Sequence, residues 1–311
     1  LRLVQTDSCY FNNWFLSLHQ FPPTVDRQMK LLTKEQFRLA DAYTIKTEPI
    51  SSVDLMERAA TSCVDVITKF TDEKDLICIL CGPGNNGGDG LAIARMLAES
   101  GKNVSVILTD KSDKLSPDAA TNFQRLQKTS VNFFYLTDTQ LPFEKITVWI
   151  DAIFGTGLNK VVEKNIADLI HKVNSTGATI FSIDLPSGLF ADKHTPASAG
   201  VIHASTTLTF QQLKRCMLYA ENAHRIGEVK VLDIGLDEHY IESLTSTHEL
   251  VDRSMIKKSL KPRKRFSHKG NFGHALLIGG SYGKAGAIVL SAKACVRSGA
   301  GLTTVHTIKT T

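Results

Sequence analysis

The sequence predicts an α/β protein with a mostly parallel sheet of about eight strands. Short apolar runs alternate with helical patterns over most of the 311 residues. Most of these runs are apolar throughout, as expected for strands that helices cover on both faces. Three of them lead into loops with glycine and carboxylate side chains, at the strand ends where such sheets bind ligands. Together these observations are typical of a Rossmann-like three-layer αβα sandwich.

Two helices are predicted before the first long strand. Thr33 and Gln36 form a capping box that starts one helix, and Pro49 ends it. Ser51 or Ser52 caps the next helix, whose apolar residues recur at helical spacing. The strands are then expected at 76–81, 104–108, 133–136, 146–150, 178–183, 206–210, 216–219 and 229–232.

Three further helices are predicted between these strands. The first follows a glycine-rich loop and ends at Gly101, a residue type favoured just after helix C-termini. The second begins at Ser116 and Pro117, a cap followed by proline in the first turn. The third spans about 162–174.

The chain divides into four predicted parts. Residues 1–28 lack periodicity and precede Met29, where a regular pattern begins, so we interpret them as a non-native or disordered extension. Residues 29–249 form the α/β domain, and the basic stretch 250–268 predicts a linker. Residues 269–311 predict a single strand–helix–strand unit. Because such a unit cannot bury a core of its own, we expect it to be the start of a second domain that is cut short.

Composition and charge exclude several classes of protein. A hydrophobic content of 42% and a charged content of 22% are ordinary for a soluble globular chain. No apolar run approaches the roughly 20 residues that span a membrane. The net charge of +5 comes from a cluster of basic residues between Ser254 and Gly273, so the α/β domain gives no reason to expect nucleic-acid binding. The cluster itself could bind RNA, but a solvated linker is the simpler interpretation.

The six cysteines are scattered through a chain that is too large to need disulfides for stability. This indicates a reducing compartment, and we expect a cytoplasmic protein. Cys78 and Cys81 have the spacing of a redox pair, but an odd spacing within a strand places them on opposite faces. A redox role is therefore disfavoured.

The strongest functional signal is a glycine-rich segment, GPGNNGGDG at 82–90, between the first long strand and the next helix. Its glycines match the G-x-G-x-x-G pattern of dinucleotide-binding loops. Asp89, however, places a carboxylate where a pyrophosphate would lie, and like charges repel unless a donor or a cation intervenes. No lysine follows the glycines, so the segment is not a P-loop. The structural alternative is a tight turn with Asp89 as a helix cap.

Two further loops carry polar groups at strand ends. One begins at Asp151 with the sequence DAIFGTG, and the other begins at Asp184 with the sequence DLPSG. Because the carboxyl ends of parallel strands meet at one edge, the three loops are expected to converge on one cleft. Neighbouring carboxylates need a cation or a shared proton, and oxygen donors without His or Cys favour an alkali or alkaline-earth ion. Taken singly, each aspartate has an alternative role as a helix cap or turn residue.

These motifs resemble the signature of the NAD(P)H-hydrate epimerases, the YjeF N-terminal family. The resemblance runs from Met29 to about residue 236 and rests on LMERAA at 55–60, GPGNNGGDG at 82–90, DAIFGTGL at 151–158, DLPSG at 184–188 and DIG at 233–235. Residues 269–305 are similar to the opening of the ADP-dependent NAD(P)H-hydrate dehydratases, which have a ribokinase-like fold. Since the two domains are often fused in bacteria, the chain looks like the N-terminal part of a bifunctional repair enzyme.

The resemblance implies an isomerase that interconverts the R and S forms of hydrated NADH or NADPH (NADHX, NADPHX) at C6 of the reduced nicotinamide ring. A dehydratase specific for the S form could then repair both. It implies substrate contacts at Asp184 and along two loops, at Asn85, Asn86, Gly87, Gly88, Asp89, Gly155, Thr156, Gly157, Leu158, Asn159, Lys160 and Val161. It also implies one potassium ion (K+) per epimerase domain, held by Asn86, Asp151 and Ser187. A homodimer or larger homo-oligomer is a further family expectation.

Asp184 is the residue that we expect to be catalytic. Epimerisation at C6 must break and re-form the C6–O bond or the ring C–N bond, and a positioned carboxylate can shuttle the proton. The ADP or ATP that the dehydratase domain uses is expected only for an untruncated chain, and no dehydratase activity is expected from this one. The residues that depart from the family pattern are Lys160, Val161, Lys164 and Leu213.

Two other interpretations stay open. An NAD-dependent oxidoreductase, with Asp110 on the ribose, would explain the glycines but would leave Asp89, Asp151 and Asp184 unused. A non-catalytic nucleotide-binding scaffold on the same fold would bind a dinucleotide without turnover. The three aspartates together with Ser187 argue against the scaffold.

Overall fold

The computed structural model describes residues 29–138, 143–260 and 262–309. The predicted extension at 1–28, which includes Cys9, lies outside the described residues. The chain divides into two compact units with a boundary between Val251 and Asp252.

The first unit is built on a seven-stranded sheet flanked by helices. Its elements in chain order are β1 (Met29–Lys30), α1 (Lys34–Thr47), α2 (Ser52–Ile67), β2 (Leu76–Cys81), α3 (Asn85–Glu99), β3 (Asn103–Leu108), α4 (Pro117–Leu126), β4 (Asn132–Tyr135), β5 (Val148–Ala152), α5 (Lys164–Asn174), β6 (Thr179–Ile183), β7 (Thr206–Phe210), α6 (Ala223–Ile226), β8 (Glu228–Leu232), α7 (Glu238–Ser243) and β9 (Glu249–Leu250).

The strands of the main sheet lie in the order β4-β3-β2-β5-β6-β7-β8, and every neighbouring pair is parallel. The strand order reverses between β2 and β5, which makes this pair the switch point of the sheet. In open α/β sheets the ligand cleft lies beyond the carboxyl ends of the strands at such a point. The predicted α/β fold class is therefore confirmed, with seven strands in this sheet instead of about eight.

The predicted strand at 216–219 is wrong, because this segment belongs to a 3-10 helix at Arg215–Leu218. Cys216 and Met217 are buried there in a small apolar cluster with Leu185 and Leu189. A short apolar run fits a buried turn as well as a strand, and periodicity cannot separate the two. The pairing of β1 with β9 was not predicted, since two-residue strands leave no pattern.

The two faces of the sheet carry separate cores. Ile77, Ile79 and Cys81 pack with residues of α2, α3 and α4, whereas Cys78 and Leu80 pack with residues of α5. This confirms that the two cysteines of the C-x-x-C spacing face opposite sides. Both thiols are free and buried, and burial raises the pKa of Cys78 to about 12, which disfavours a redox role.

The helix starts follow the capping signals of the sequence. Thr33 Oγ1 accepts a hydrogen bond from the Gln36 backbone, and the Gln36 side chain accepts one from the Thr33 backbone, which confirms the capping box of α1. Ser51 caps α2 in the same way with Asp54. Of the helices within the described residues, none has the length and apolar character that a bilayer crossing requires.

The second unit contains α8 (Arg253–Ser259), β10 (His274–Ile278), α9 (Gly286–Arg297) and β11 (Leu302–His306). The short helix α8 falls within the stretch interpreted as a linker. Strands β10 and β11 are parallel neighbours, so the predicted strand–helix–strand unit is present. Apolar side chains of the unit remain exposed, with Ile278 at 71% and Leu290 at 68%.

Candidate active site

The three polar loops of the sequence follow three neighbouring strands, β2, β5 and β6. Asp151 lies within β5 and pairs across the sheet with Ser182, two residues before Asp184. Because the three strands are parallel, their carboxyl ends meet at one edge, and the loops lie together beyond the switch point.

The glycine-rich segment is mostly helical. Gly84 is the N-cap of α3, and the helix begins at Asn85, so the alternative role of Asp89 as a helix cap is wrong. A Cβ atom on Gly87 would lie 1.8 Å from the carbonyl oxygen of Gly82. Similarly, a Cβ atom on Gly82 would lie 2.0 Å from the carbonyl oxygen of Ile153. These glycines therefore permit close backbone contact within the protein, between the α3 turn and the loop after β5.

Asp184 occupies a strained position at the carboxyl end of β6. Its φ of +64° lies in the left-handed region, which costs a residue with a side chain about 1–3 kcal/mol. The backbone N–H of Asp184 donates to the carbonyl oxygen of Leu208 at 2.7 Å, which holds this conformation. Strain of this kind at a strand end is frequent in active sites.

A buried lysine pairs with this carboxylate. Lys214 Nζ lies 2.6 Å from Asp184 Oδ1, with side-chain exposures of 3% and 11%. The ammonium group also donates to Thr209 Oγ1 at 2.9 Å and to the carbonyl oxygen of Phe210 at 2.7 Å. Since removing one partner would leave a buried charge unpaired, this ion pair is a fixed feature of the site.

A cavity opens in front of the pair, and four of its lining residues carry carboxyl groups. Asp41 of α1, Asp89 of α3, Asp118 of α4 and Asp184 all line it, together with Lys214. The apolar part of its wall includes Phe37, Ile45, Leu55, Met56, Phe210 and Leu236. The site thus combines an apolar wall with more carboxyl groups than cations.

Burial and mutual repulsion raise the pKa of two of these carboxyl groups. Burial, followed by the charge of Asp184, raises the pKa of Asp41 to about 6, while Lys214 acts in the opposite direction. Burial raises the pKa of Asp89 well above its usual value, and Asp184, Asp41 and Asp118 add to the effect. The raised pKa of Asp89 weakens the repulsion that a phosphate would meet from this carboxyl group.

Asp151 joins β5 to β6 and to the loop after β6 through hydrogen bonds. Its carboxylate is fully buried and accepts hydrogen bonds from Ser182 Oγ at 2.8 Å, from the Ser187 backbone at 2.8 Å and from Ser187 Oγ at 2.5 Å. Burial raises the pKa of Asp151, and the hydrogen bonds from Ser187 and Ser182 partly offset this. Ser187 Oγ also accepts from the Phe154 backbone at 2.9 Å.

Only some of the expected substrate-binding residues line the cavity. Asn85, Asp89, Thr156 and Asp184 do so. Gly155 lies against the side chains of Asn86 and Asp184, because a Cβ atom placed on it would be 3.1–3.2 Å from their oxygens. Other expected residues do not line the cavity. Gly87 and Gly88 are buried in α3, and Leu158 and Asn159 lie outside the cavity lining. The Lys160 side chain is 78% exposed, and Val161 is 47% exposed.

Asp41 and Lys214 are site residues that sequence reasoning missed. The signal for Asp41 was a carboxylate on the apolar face of α1, four residues after the buried Phe37 and three before the buried Thr44. The signal for Lys214 was a lysine beside the apolar residues Leu213 and Cys216. Neither signal points to a particular chemistry without the fold.

The residues expected to hold potassium have the chemistry for such an ion. Asn86, Asp151 and Ser187 supply amide, carboxylate and hydroxyl oxygens, which suit a hard cation. Among the described residues, the buried Asn86 Nδ2 has no hydrogen-bond partner. Because a half-turn of the amide exchanges nitrogen and oxygen, the Asn86 oxygen could occupy that buried position and ligate a cation.

The fold and this cleft define an α/β protein with a carboxyl-rich cavity at the switch point of its sheet. Residues 52–216 match the family described as YjeF-related protein N-terminus, and the chain belongs to this family. The predicted family resemblance is thereby confirmed.

Similar proteins include bifunctional NAD(P)H-hydrate repair enzymes. The Nnr protein of Coxiella burnetii is 33% identical over 258 residues, which cover 83% of this chain and 52% of that protein. The Nnr protein of Escherichia coli is 34% identical over 255 residues, which cover 82% of this chain and 48% of that protein. The chain thus spans about half the length of these relatives. A crystal structure of yeast ynu0 superposes with a TM-score of 0.56 and 20% sequence identity, over 77% of this chain and 97% of the yeast chain. This similarity supports the fold.

Proposed function

We propose that this chain is an NAD(P)H-hydrate epimerase, which interconverts the R and S forms of NADHX and NADPHX at C6. Family membership and the names of the relatives support the proposal. The observation that carries it is Asp184, a strained carboxylate that faces the cavity and is ion-paired with the buried Lys214.

The charge of the cavity favours a route through the C6–O bond. In the substrate the C6 hydroxyl is adjacent to the ring nitrogen, so its departure leaves a positive charge shared between C6 and that nitrogen. The cavity has more carboxyl groups than cations, and those that are ionised stabilise such a cation. Water then returns to either face of the ring, and Asp184 moves the proton that accompanies this exchange.

The start of α3 provides a place for the phosphates of the substrate. The first N–H groups of a helix have no partner within the helix and favour an anion. A Cβ atom on Gly84, the N-cap, would meet no atom within 4 Å, so the turn is open on this side. The raised pKa of Asp89 weakens its repulsion of a pyrophosphate nearby.

We also propose that Asn86, Asp151 and Ser187 hold a potassium ion. When bound, the ion would supply positive charge that offsets the carboxylates and orders the loops. The orphaned Asn86 amide supports this assignment.

The oxidoreductase alternative has less support. It requires Asp110 to bind a ribose, whereas the Asp110 carboxylate is paired with Lys114 at 2.9 Å and lies outside the cavity. It also gives no role to Asp184. Only a measurement of substrate turnover distinguishes the scaffold alternative from the epimerase, because both would bind the dinucleotide.

The test of the proposed function is a direct assay of purified R-NADHX, separated from the S form by chromatography. We expect the chain to convert R to S well above the spontaneous rate, and Asp184→Asn to abolish the conversion. The matched control is Asp168→Asn, which removes an exposed carboxylate that pairs with Lys164 on α5. A folded wild-type protein that binds NADHX without converting it would refute the proposal in favour of the scaffold.

Two expectations from the sequence remain predictions. A homo-oligomer follows only from the family resemblance, and a cytoplasmic location follows only from the use of cysteine in the sequence.

A further inference from the structure

We propose that Asp41 is the second acid–base group of the epimerisation and acts on the face of the nicotinamide ring opposite to Asp184. The proposal rests on the proposed function, and it assigns a catalytic role to a residue outside the three strand-end loops.

Asp41 reaches the cavity from a different layer of the fold. It lies on α1, whereas Asp184 follows β6, and both line the same cavity. Helix α1 is anchored at this position, because Thr44 Oγ1 accepts a hydrogen bond from the Asp237 backbone at 2.9 Å and Phe37 is buried. The two carboxyl groups therefore reach one cavity from two different elements of the fold, and we infer that a ligand would lie between them.

Inversion at C6 needs proton transfer on both faces of the ring. A protonated carboxyl on one face gives its proton to the C6 hydroxyl, and the C6–O bond breaks with its electron pair on oxygen, leaving water and the ring cation. A water molecule on the other face then forms a new C6–O bond and loses a proton to the carboxylate there. The net change is one proton moved between two carboxyl groups, with no oxidation or reduction. A single fixed carboxylate would have to reach both faces.

The surroundings of Asp41 suit this role better than those of the other two acids. The titratable and charged groups around it are Asp184, Lys214, Asp89 and Asp118. Lys214 forms its ion pair with Asp184, so the two carboxyl groups have unequal surroundings.

Asp89 and Asp118 fit the role less well. Burial, followed by the charges of Asp184, Asp41 and Asp118, raises the pKa of Asp89 well above its usual value, whereas the pKa of Asp41, about 6, allows both forms near neutral pH. Asp118 accepts a hydrogen bond from Ser52 Oγ at 2.9 Å, which ties α4 to α2.

The test compares Asp41→Asn, Asp41→Glu and the control Glu35→Gln, which removes an exposed carboxylate from the same helix. General acid–base catalysis contributes about 10²- to 10⁴-fold, so we expect Asp41→Asn to lower kcat by that factor with little change in KM. Asp41→Glu should retain part of the activity, and Glu35→Gln should match the wild type. The wild-type pH profile of kcat should show a limb near pH 6 that Asp41→Asn lacks.

The outcomes separate this inference from the proposed function. If the wild type is active and Asp41→Asn keeps its rate and pH profile, the inference is overturned and the epimerase proposal stands. If the folded wild type is inactive, the epimerase proposal fails and the inference fails with it. If Asp41→Asn and Asp41→Glu lose activity equally and the pH limb is unchanged in both, Asp41 has a structural role and the inference is overturned.

Discussion

Replacing Asp41 by asparagine should make the folded protein more stable at neutral pH. Burial and the neighbouring Asp184 raise the pKa of Asp41 from 3.8 to about 6 in the folded state. Above pH 6 the folded protein therefore contains a carboxylate that is better solvated in the unfolded chain. An asparagine has a similar shape and carries no charge, so it removes this cost.

The size and the pH window of the effect follow from this pKa. Between about pH 4 and pH 6 the folded state binds more protons at Asp41 than the unfolded state does, so the stability falls as the pH rises. Since one pKa unit corresponds to about 1.4 kcal/mol, the loss approaches 3 kcal/mol above pH 6. The variant should thus gain little at pH 4 and up to about 3 kcal/mol at pH 7.5.

Urea unfolding at these two pH values measures the gain as a difference in the free energy of unfolding. Glu35→Gln is the control, because Glu35 is exposed and lies on the same helix, and it should show no pH-dependent gain. A gain of equal size at both pH values would contradict the electrostatic reasoning. A loss of stability at pH 7.5 would show that the carboxylate is stabilised by its surroundings.

Two further predictions concern the loops. Gly87→Ala should destabilise the first unit by several kcal/mol, because the new Cβ would lie 1.8 Å from the Gly82 carbonyl oxygen. The control is Gly157→Ala, whose Cβ would have no atom within 4 Å, so its effect on stability should be neutral. Urea unfolding of both variants checks this, and equal stabilities would refute it. Potassium at ten times its Kd should stabilise the protein by about 1.4 kcal/mol relative to sodium. Thermal unfolding should show that Asn86→Ala loses this dependence, and a dependence that persists would exclude the proposed site.

The sequence predicted those parts of the fold that depend on local patterns. Strands buried on both faces are apolar throughout, so β2 and β6 were visible as runs, and helix caps such as Thr33 and Ser51 depend on residues three positions apart. The meeting of the three polar loops followed from parallel pairing alone. The start of α3 at Asn85 was not visible, because glycine disfavours helices and only tertiary contact explains it.

The site itself was only partly predictable, for a physical reason. Asp184 stands at the end of a strand, and the topology of the sheet brings it to the cleft. Asp41 and Lys214 come from segments whose positions depend on packing across the sheet edge, with Lys214 buried against Thr209 and Phe210. Contacts between residues so far apart along the chain leave no pattern that can be recognised in one sequence.

The contact between Gly82 and Ile153 at the switch point has a consequence for the order of folding. It joins the end of β2 to the end of β5, and these strands pair from residues 77 and 148 onward, with β3 and β4 lying between them in the chain. Closing so long a stretch of chain costs entropy before its contacts are made, and such pairings form slowly. We therefore expect the cleft to assemble late in folding. On refolding, ligand binding should recover after secondary structure does.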